Sequence, residues 1–438
     1  MGEVETIKVG VARANITPPV GIRSAGYASR GPLTSFHDPL YATAIVFESG
    51  GRKAALISCD LIDLDAGTVG EVREEVAKRT SIPPEAMTVV CTHTHYGPDP
   101  YRDKSAPDVM AYRSNLIFLL AGAVQEADSK LEPALIGVEW GESDIGINRR
   151  EKLPDGRVVL GRNPLGPIDR SVGVMRIDSA DGKGMAVLVN FQCHPVSQGS
   201  RVSHISADYP GAAREVVERL TGATFIFLQG ACGDINSTIR EESYEPARTL
   251  GVRLGCEVVR VWEMISPQPV SGLEVRRREV ELPRFRFISP ERARELEGEL
   301  SRELERLKGS GAYKGMIEWV QARLERVREA LKSWESGEPL PPIKTELQAW
   351  RIGDEIAFAA VPGEIFNQIG LRVKLSSPFK HTFFLGYAND SIGYVPTPDA
   401  YPEGGYEVMQ ACRVDPQASE IIVRTCEEML RELKGCRS

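Results

Sequence analysis

Short apolar runs alternate along the chain with longer segments whose apolar residues recur every three to four positions. The short runs, rich in Val, Ile, Phe and Ala, predict strands at 42–47, 54–59, 87–92, 134–138, 185–192, 225–229, 356–361 and 382–386. The longer segments predict helices at 67–79, 108–126, 211–220, 245–264, 365–375 and 416–433. Such alternation is the pattern of an α/β protein. Runs 54–59 and 225–229 are apolar at nearly every position, as expected of strands covered on both faces.

One stretch departs from this pattern. Residues 290–337 are dense in Glu, Arg and Leu, with a narrow stripe at Leu296, Leu300, Leu304 and Leu307. They predict two helices broken at Gly309-Ser310-Gly311, a hairpin inserted into the main domain. A lid, an oligomer contact and a plain solvated excursion are all open to it.

Composition narrows the class. The chain has 438 residues, 42% hydrophobic and 26% charged, which is ordinary for a globular protein. A net charge of −8 with no long basic block argues against nucleic acid as a partner. No run of about 18 apolar residues is present, so no transmembrane helix is expected. The opening residues 1–6 are acidic and lack the apolar core of an export signal, so the expected location is cytoplasmic. Eight scattered cysteines without a CxxC pair exclude a zinc ribbon or a thioredoxin-like motif. Several read as small buried hydrophobes. The Glu- and Arg-rich helices hint at a thermophile, where intracellular disulfides occur, which leaves the thiol redox state open.

Candidate chemistry gathers where the predicted strands end. Thr92-His93-Thr94-His95-Tyr96-Gly97-Pro98 follows the run 87–92 and places two histidines two residues apart, on one face if the strand continues. Asn190-Phe191-Gln192-Cys193-His194-Pro195 again ends a strand in histidine. Run 225–229 passes into Gly230-Ala231-Cys232-Gly233-Asp234-Ile235-Asn236, where glycines allow close backbone approach. Val361-Pro362-Gly363-Glu364 repeats strand, turn and acid, and Asn389-Asp390-Ser391-Ile392-Gly393-Tyr394 brings a tyrosine. In α/β sheets the strand ends converge on the ligand crevice. A catalytic zinc takes three protein ligands and leaves a position for water, a rule that His, His and Glu satisfy. Each residue also has a plainer reading. Asp208 reads as a helix N-cap, Asp234 as a turn aspartate and Glu364 as a partner of the helix dipole. His37, His204 and His381 read as structural. Asp60, at another strand end, reads as a polar wall or a ligand to a second metal.

Taken in order, these segments resemble the catalytic domain of the neutral, non-lysosomal ceramidases. The resemblance rests on Gly10-Val11-Ala12-Arg13-Ala14-Asn15-Ile16-Thr17-Pro18, Thr92-His93-Thr94-His95-Tyr96-Gly97-Pro98 and Gly146-Ile147-Asn148-Arg149. Cys193-His194-Pro195, Gly233-Asp234, Pro362-Gly363-Glu364 and Tyr394-Val395-x-Thr397-Pro398 continue it, with tyrosines at 401 and 406. It implies an α/β fold with a mixed β-sheet core flanked by helices, forming one catalytic domain over 1–438. It implies one zinc ion (Zn2+) per chain, held by His93, His194, Glu364 and Tyr394. His95 would stand beside the metal, for proton transfer or substrate binding. Arg149 and Tyr406 would polarise the substrate carbonyl, and Asp234 would position or deprotonate the attacking water. Arg150 neighbours Arg149, so the arginine assignment can slip by one. The implied reaction is hydrolysis of an amide (N-acyl) bond by metal-activated water. A zinc esterase or lactonase, and a non-catalytic ligand-binding protein of the same fold, are the alternatives.

Three features depart from the family. Asn236 stands where the family has a serine, leaving Ser237 or a water nucleophile. The family's immunoglobulin-like C-terminal domain is not seen, and neither is its export signal. The expected partner is therefore a small-molecule or lipid-like acyl substrate, smaller and more soluble than ceramide, with a homo-oligomer also possible.

Overall fold

A computed structural model describes residues 6–287 and 289–436; the acidic opening segment 1–5 lies outside them. Its core is two sheets packed face to face. The larger is a nine-stranded mixed sheet in the order Thr224–Gln229, Gly184–Phe191, Ser171–Ser179, Glu132–Glu142, Lys8–Asn15, Tyr41–Ser49, Arg52–Cys59 and Met87–Cys91, with Gln268–Pro269 paired at its margin. The smaller orders Leu273–Leu282, Ile343–Ile352, Ile356–Ala360 and His381–Leu385.

The alternation of side chains along each strand decides which layer each residue joins. Phe47, Leu56, Met175, Leu188 and Leu228 of the large sheet meet Trp350, Phe358, Phe383 and Leu385 of the small one in a single apolar cluster. The opposite face of the large sheet carries Ala44, Ile57, Val187 and Val189. It packs under the helices Ala66–Ala77, Pro107–Ser129, Asp208–Thr221 and Glu245–Trp262. The outer face of the small sheet, through Leu347, Ala357 and Ala359, packs under Asn367–Ser376 and Gln417–Lys434. The layers run helix, sheet, sheet, helix. Both faces of the 54–59 and 225–229 strands are covered, as their apolar runs predict.

The expected strands and helices form within a few residues of their predicted bounds. The sequence reading omits Lys8–Asn15, Gly146–Lys152, Ser171–Ser179, Leu273–Leu282 and Ile343–Ile352. Leu273–Leu282 contains Arg276-Arg277-Arg278 and is half-exposed, so it lacks an apolar run altogether.

The insertion consists of Pro290–Gly309 and Lys314–Ser336. Ser289 caps its first helix by accepting the Arg292 N–H at 3.2 Å. Leu296, Leu300 and Leu304 pack on Val320, Leu324, Val327 and Leu331 in a core of their own. The hairpin also bridges two parts of the main body. Glu318 pairs with Arg23 at 2.8 Å, and the Arg326 guanidinium donates to the Cys412 carbonyl at 3.0 Å. Six of the eight cysteines are buried free thiols; Cys256 and Cys436 are exposed. Among the described residues no helix is long and apolar enough to cross a membrane.

Phe358 is fully buried between the sheets. Phe358→Ala is expected to lower the free energy of unfolding by roughly 3–5 kcal/mol. Leu165→Ala, at a side chain 95% exposed, should stay within about 0.5 kcal/mol. Denaturant unfolding of both variants checks the layer assignment.

Candidate metal centre

Strand C-terminal ends from both sheets meet at one place. Met87–Cys91 runs into His93 and His95, and Gly184–Phe191 into His194. Ile356–Ala360 runs into Glu364, and His381–Leu385 leads to Tyr394. Glu364 and Tyr394 are direct partners in a short parallel pair, Glu364–Ile365 beside Tyr394–Val395. Gly363, at φ +85°, makes the turn before Glu364; a Cβ there would stand 2.6 Å from the Gly393 carbonyl oxygen.

The two neighbouring histidines reach the site differently from the strand alternation expected of them. The strand ends at Cys91, and His93 sits at φ +67°, a conformation uncommon for a residue with a Cβ. The turn, rather than the pleat, brings His93 and His95 together.

Their hydrogen bonds divide the three histidines chemically. His93 donates Nδ1–H to the Ile62 carbonyl at 2.7 Å. His194 donates Nδ1–H to the carbonyls of Cys232 and Ile235 at 2.7 and 3.0 Å. Each therefore presents an Nε2 lone pair to the centre. His95 Nδ1 is buried against Gly26 with no hydrogen-bond partner. An orphaned buried N–H is rarer than an orphaned acceptor, so the proton belongs on His95 Nε2, 3.2 Å from His93 Nε2. Glu364 Oε2 stands 3.4 Å from His93 Nε2 and 3.1 Å from His194 Nε2.

Two imidazole lone pairs and a carboxylate oxygen thus face one another, an arrangement that a cation relieves. The ligand atoms of His93, His95 and His194 lie within 4.8 Å of one another, close enough to share a metal ion. The residues fit a metal on their own geometry. Burial opposes the charge on Glu364, but His93 and His194 outweigh it and hold the carboxyl well below its ordinary range. Burial and then Arg149 pull His194 down to about 4. Burial, then His93 and His194, hold His95 well below the ordinary imidazole value.

Arg149 is the buried cation of the site. Its guanidinium donates to the Tyr394 hydroxyl at 2.8 Å and to Asn236 Oδ1 at 3.1 Å, with Nη1 3.3 Å from His194 Nε2. Tyr406 packs edge-on against Tyr394, ring centroids 5.9 Å apart, and its ring lies 5.9 Å from the Arg149 guanidinium. Burial raises the Tyr394 phenol well above its ordinary value, and Arg149 opposes that rise. Arg149 and Arg150 do not exchange roles: Arg150 turns away to Glu407, Glu403 and the Gly404 carbonyl.

Other readings are corrected. The Asp234 carboxylate does not address the histidines. It accepts the Asn367 N–H at 2.7 Å and the Asn148 amide at 3.0 Å, while its carbonyl accepts the Arg149 N–H at 2.9 Å. It is a positioning residue for the Arg149 strand. Gly233 approaches protein backbone rather than a ligand, donating its N–H to the Ile365 carbonyl at 2.8 Å. Ser237 is turned to the His194 carbonyl. Asp60 is ion-paired with Arg214 at 2.7 Å and accepts the Tyr41 N–H at 2.9 Å. Asp208, at φ +57°, accepts the Ser197 N–H and hydroxyl as well as the Tyr209 N–H, and the N-cap position of its helix falls on Ala207.

Three residues of the site went unread in the sequence. Gln229 donates its amide to the carbonyls of Thr92, at 3.1 Å, and Cys193, at 2.9 Å, the residues just before His93 and His194. Its signal was a polar residue closing an apolar strand. Glu407, 1% exposed, receives Arg149 Nε and Arg150 Nη1 at 2.8 Å each from a π-helical turn, Glu407–Ala411. Arg30 is buried behind His95 and donates to the His95 carbonyl. Neither of these two carries a sequence signal.

Comparison with known proteins follows the same lines. The sequence profile of the family described as neutral/alkaline non-lysosomal ceramidase, N-terminal, matches residues 7–236. Neutral ceramidase A of Dictyostelium discoideum is 25% identical over 237 residues, 50% of this chain and 33% of that protein. The matched part thus spans about a third of that relative. The crystal structure of neutral ceramidase from Pseudomonas aeruginosa superposes with a TM-score of 0.76 at 22% identity, covering 98% of this chain and 75% of that one. A ceramidase complexed with C2 gives 0.76 at 19% identity, covering 98% and 76%. At these identities the structural likeness is one of fold.

His194→Ala and Glu364→Ala are expected to lose bound divalent metal to less than about a tenth of the wild-type content, with circular dichroism unchanged. Elemental analysis of the purified proteins reads this directly. Glu407→Ala leaves two buried guanidiniums without their carboxylate and should cost about 3–5 kcal/mol in denaturant unfolding.

Proposed function

This chain belongs to the neutral/alkaline non-lysosomal ceramidase family, and we propose on that premise that it is a zinc-dependent hydrolase of amide (N-acyl) bonds. The observation that carries the reading is the convergence of His93, His194 and Glu364 on one point, with Arg149 and Tyr394 at its side. One zinc ion at that point supplies a Lewis acid and lowers the pKa of water toward about 7.

The chain's own residues do the rest. His93, His194 and Glu364 would hold the ion, with the two imidazoles fixed in tautomer by their backbone acceptors, and Tyr394 would complete the set. Arg149 places permanent N–H donors where negative charge grows on the substrate carbonyl oxygen. Its bonds to Glu407 aim the guanidinium before substrate arrives, so no reorganisation is needed then. His95 would stand beside the metal and offer its Nε2–H as a hydrogen-bond donor to the bound substrate. Tyr406, packed edge-on against Tyr394 and beside Arg149, would help polarise the substrate carbonyl. Asn236, bound to Arg149, orients the arginine and is not itself a nucleophile, so water attacks. We place the substrate among acyl compounds smaller and more soluble than ceramide.

A panel of N-acyl amides and matched esters tests the reading. The wild type should cleave amides. His95→Ala should keep its metal and lose turnover, and Arg149→Lys should lower kcat/KM by about 10²–10³. Cleavage of esters alone would make the protein an esterase or lactonase. Stoichiometric metal without turnover of any acyl compound would make it a binding protein.

A further inference from the structure

The inserted hairpin is anchored on both flanks of the metal centre. One flank is the loop that holds His95. Gly26 backs the His95 imidazole, the Tyr27 ring packs on it with centroids 5.1 Å apart, and Arg30 donates to its carbonyl. The helix Lys314–Ser336 starts on that loop. A Cβ on Gly315 would stand 2.9 Å from the Ala28 carbonyl oxygen, an approach that glycine allows. The other flank is Tyr394, whose backbone bridges to Cys412. Further along the same helix, the Arg326 guanidinium donates to the carbonyls of Cys412, at 3.0 Å, and Gln410. From Gly315 to Arg326 the helix rises about 16 Å. His93 and Glu364 lie between the flanks, since His95 Nε2 stands 3.2 Å from His93 Nε2 and Tyr394 pairs with Glu364. Strand ends close the centre from behind, so the helix crosses on its open side.

The two ends of this strap are held by different forces. At the Cys412 flank the contact is apolar: Phe285 and Met409 of the main body pack against the hairpin's own cluster. The Phe285 N–H donates to the Arg413 carbonyl at 3.0 Å, which fixes it to that flank. At the His95 flank the contact is charge. Glu318 pairs with Arg23 at 2.8 Å and Lys314 with Asp103 at 3.1 Å, while Arg23 also reaches Asp103 at 3.1 Å and Asp99 at 3.5 Å. Glu318 and Lys314 pair with each other at 3.2 Å. Both are open to solvent, Lys314 at 63% and Glu318 at 38% of the side chain. Ion pairs of this kind are weak and are screened by salt. The hairpin keeps Leu296, Leu300 and Leu304 on Val320, Leu324 and Val327 whether or not its tip is held, so it can swing as one rigid body.

We propose that the hairpin is a lid on the metal centre, hinged at the Cys412 flank and latched beside His95 by Glu318 and Lys314, and that its tip releases to admit the acyl substrate. The inference rests on the reading of this centre as the reacting site. The groups to be reached are covered: His93, His194, Tyr394 and Arg149 are each no more than 4% exposed. A bulky acyl compound reaches them when an element beside them moves, and the end of the strap held only by solvent-exposed charge is the one that yields. The latch closes on the loop that backs His95, so shutting the lid also sets that imidazole beside the metal ligands.

The first test needs neither metal nor turnover. The exposed thiols are removed by Cys256→Ser and Cys436→Ser, and nitroxide labels are placed at Gln321→Cys on the lid and Ser114→Cys on the helix Pro107–Ser129, both exposed positions. The pair Lys314→Glu with Glu318→Lys keeps the net charge and the pairing within the helix but turns both latch contacts repulsive. Pulsed electron spin resonance should give one distance with the native latch, and a second, longer one in the charge-swapped protein and at high salt. The same single distance in all three overturns the lid. The second test locks it. Arg23→Cys and Glu318→Cys, bridged by a cleavable bismaleimide, should lower turnover of N-lauroylglycine by about tenfold or more with bound metal unchanged, and cutting the linker should restore it. Turnover that the bridge leaves unchanged overturns the gating. If the unbridged protein cleaves no acyl compound, the amidase reading fails, and the label distances still decide the lid.

Discussion

One buried side chain fixes the geometry on which the site depends. Gln229 closes the strand Thr224–Gln229 and donates both of its amide hydrogens to carbonyls that immediately precede histidines. His93 and His194 come from strands on either side of it, 101 residues apart in the chain. No covalent or helical element sets their separation, and each sits in an irregular turn. Replacing the amide by an apolar group would leave two buried carbonyls without donors, at about 1–3 kcal/mol each. It would also free the two turns to move independently. A metal centre tolerates very little of that.

The second half of the centre comes from the other sheet, and here packing replaces hydrogen bonding as the constraint. Glu364 and Tyr394 stand in register on a two-residue parallel pair. That pair is placed by Ile365, Val395 and Ile392, which belong to the apolar cluster under Asn367–Ser376 and Gln417–Lys434. The sheets are in turn locked by Phe358, Phe383 and Trp350. His93 and His194 are thus a property of one sheet, Glu364 and Tyr394 of the other, and the core between the sheets sets the distance across the site. Asn190 joins them at the edge, donating to the carbonyls of Leu228 and Phe384 at 2.9 Å each.

What the sequence disclosed follows from what is local. Strands with continuous apolar runs and helices with a regular stripe were legible because covering both faces, or one face, leaves a period in the chain. The residues His93, His194, Glu364, Tyr394 and Arg149 were legible as an ordered set of motifs at strand ends. Half-exposed strands such as Leu273–Leu282 were not, since their partner rather than their composition makes them strands. The turn at His93 was misread as a strand because a positive φ on a histidine has no sequence mark. By position Asp60 looked like a polar wall or a metal ligand and Asp234 like a catalytic acid, and only the fold shows that Arg214, Asn148 and Asn367 engage them. Glu407 was hidden for the opposite reason: it lies 257 residues or more from the arginines it serves.

The arrangement of charge explains why so much of this architecture is spent around two arginines. A guanidinium as buried as Arg149, 4% exposed, is tolerable only beside a carboxylate and a full set of acceptors. Glu407 supplies the first, and Tyr394, Asn236 and the His194 edge supply the second. Arg150 shares the same carboxylate from the next position of the strand, and so holds Glu407 in place for its neighbour. Arg149 therefore meets the centre with its orientation already set by protein partners rather than by whatever enters the site.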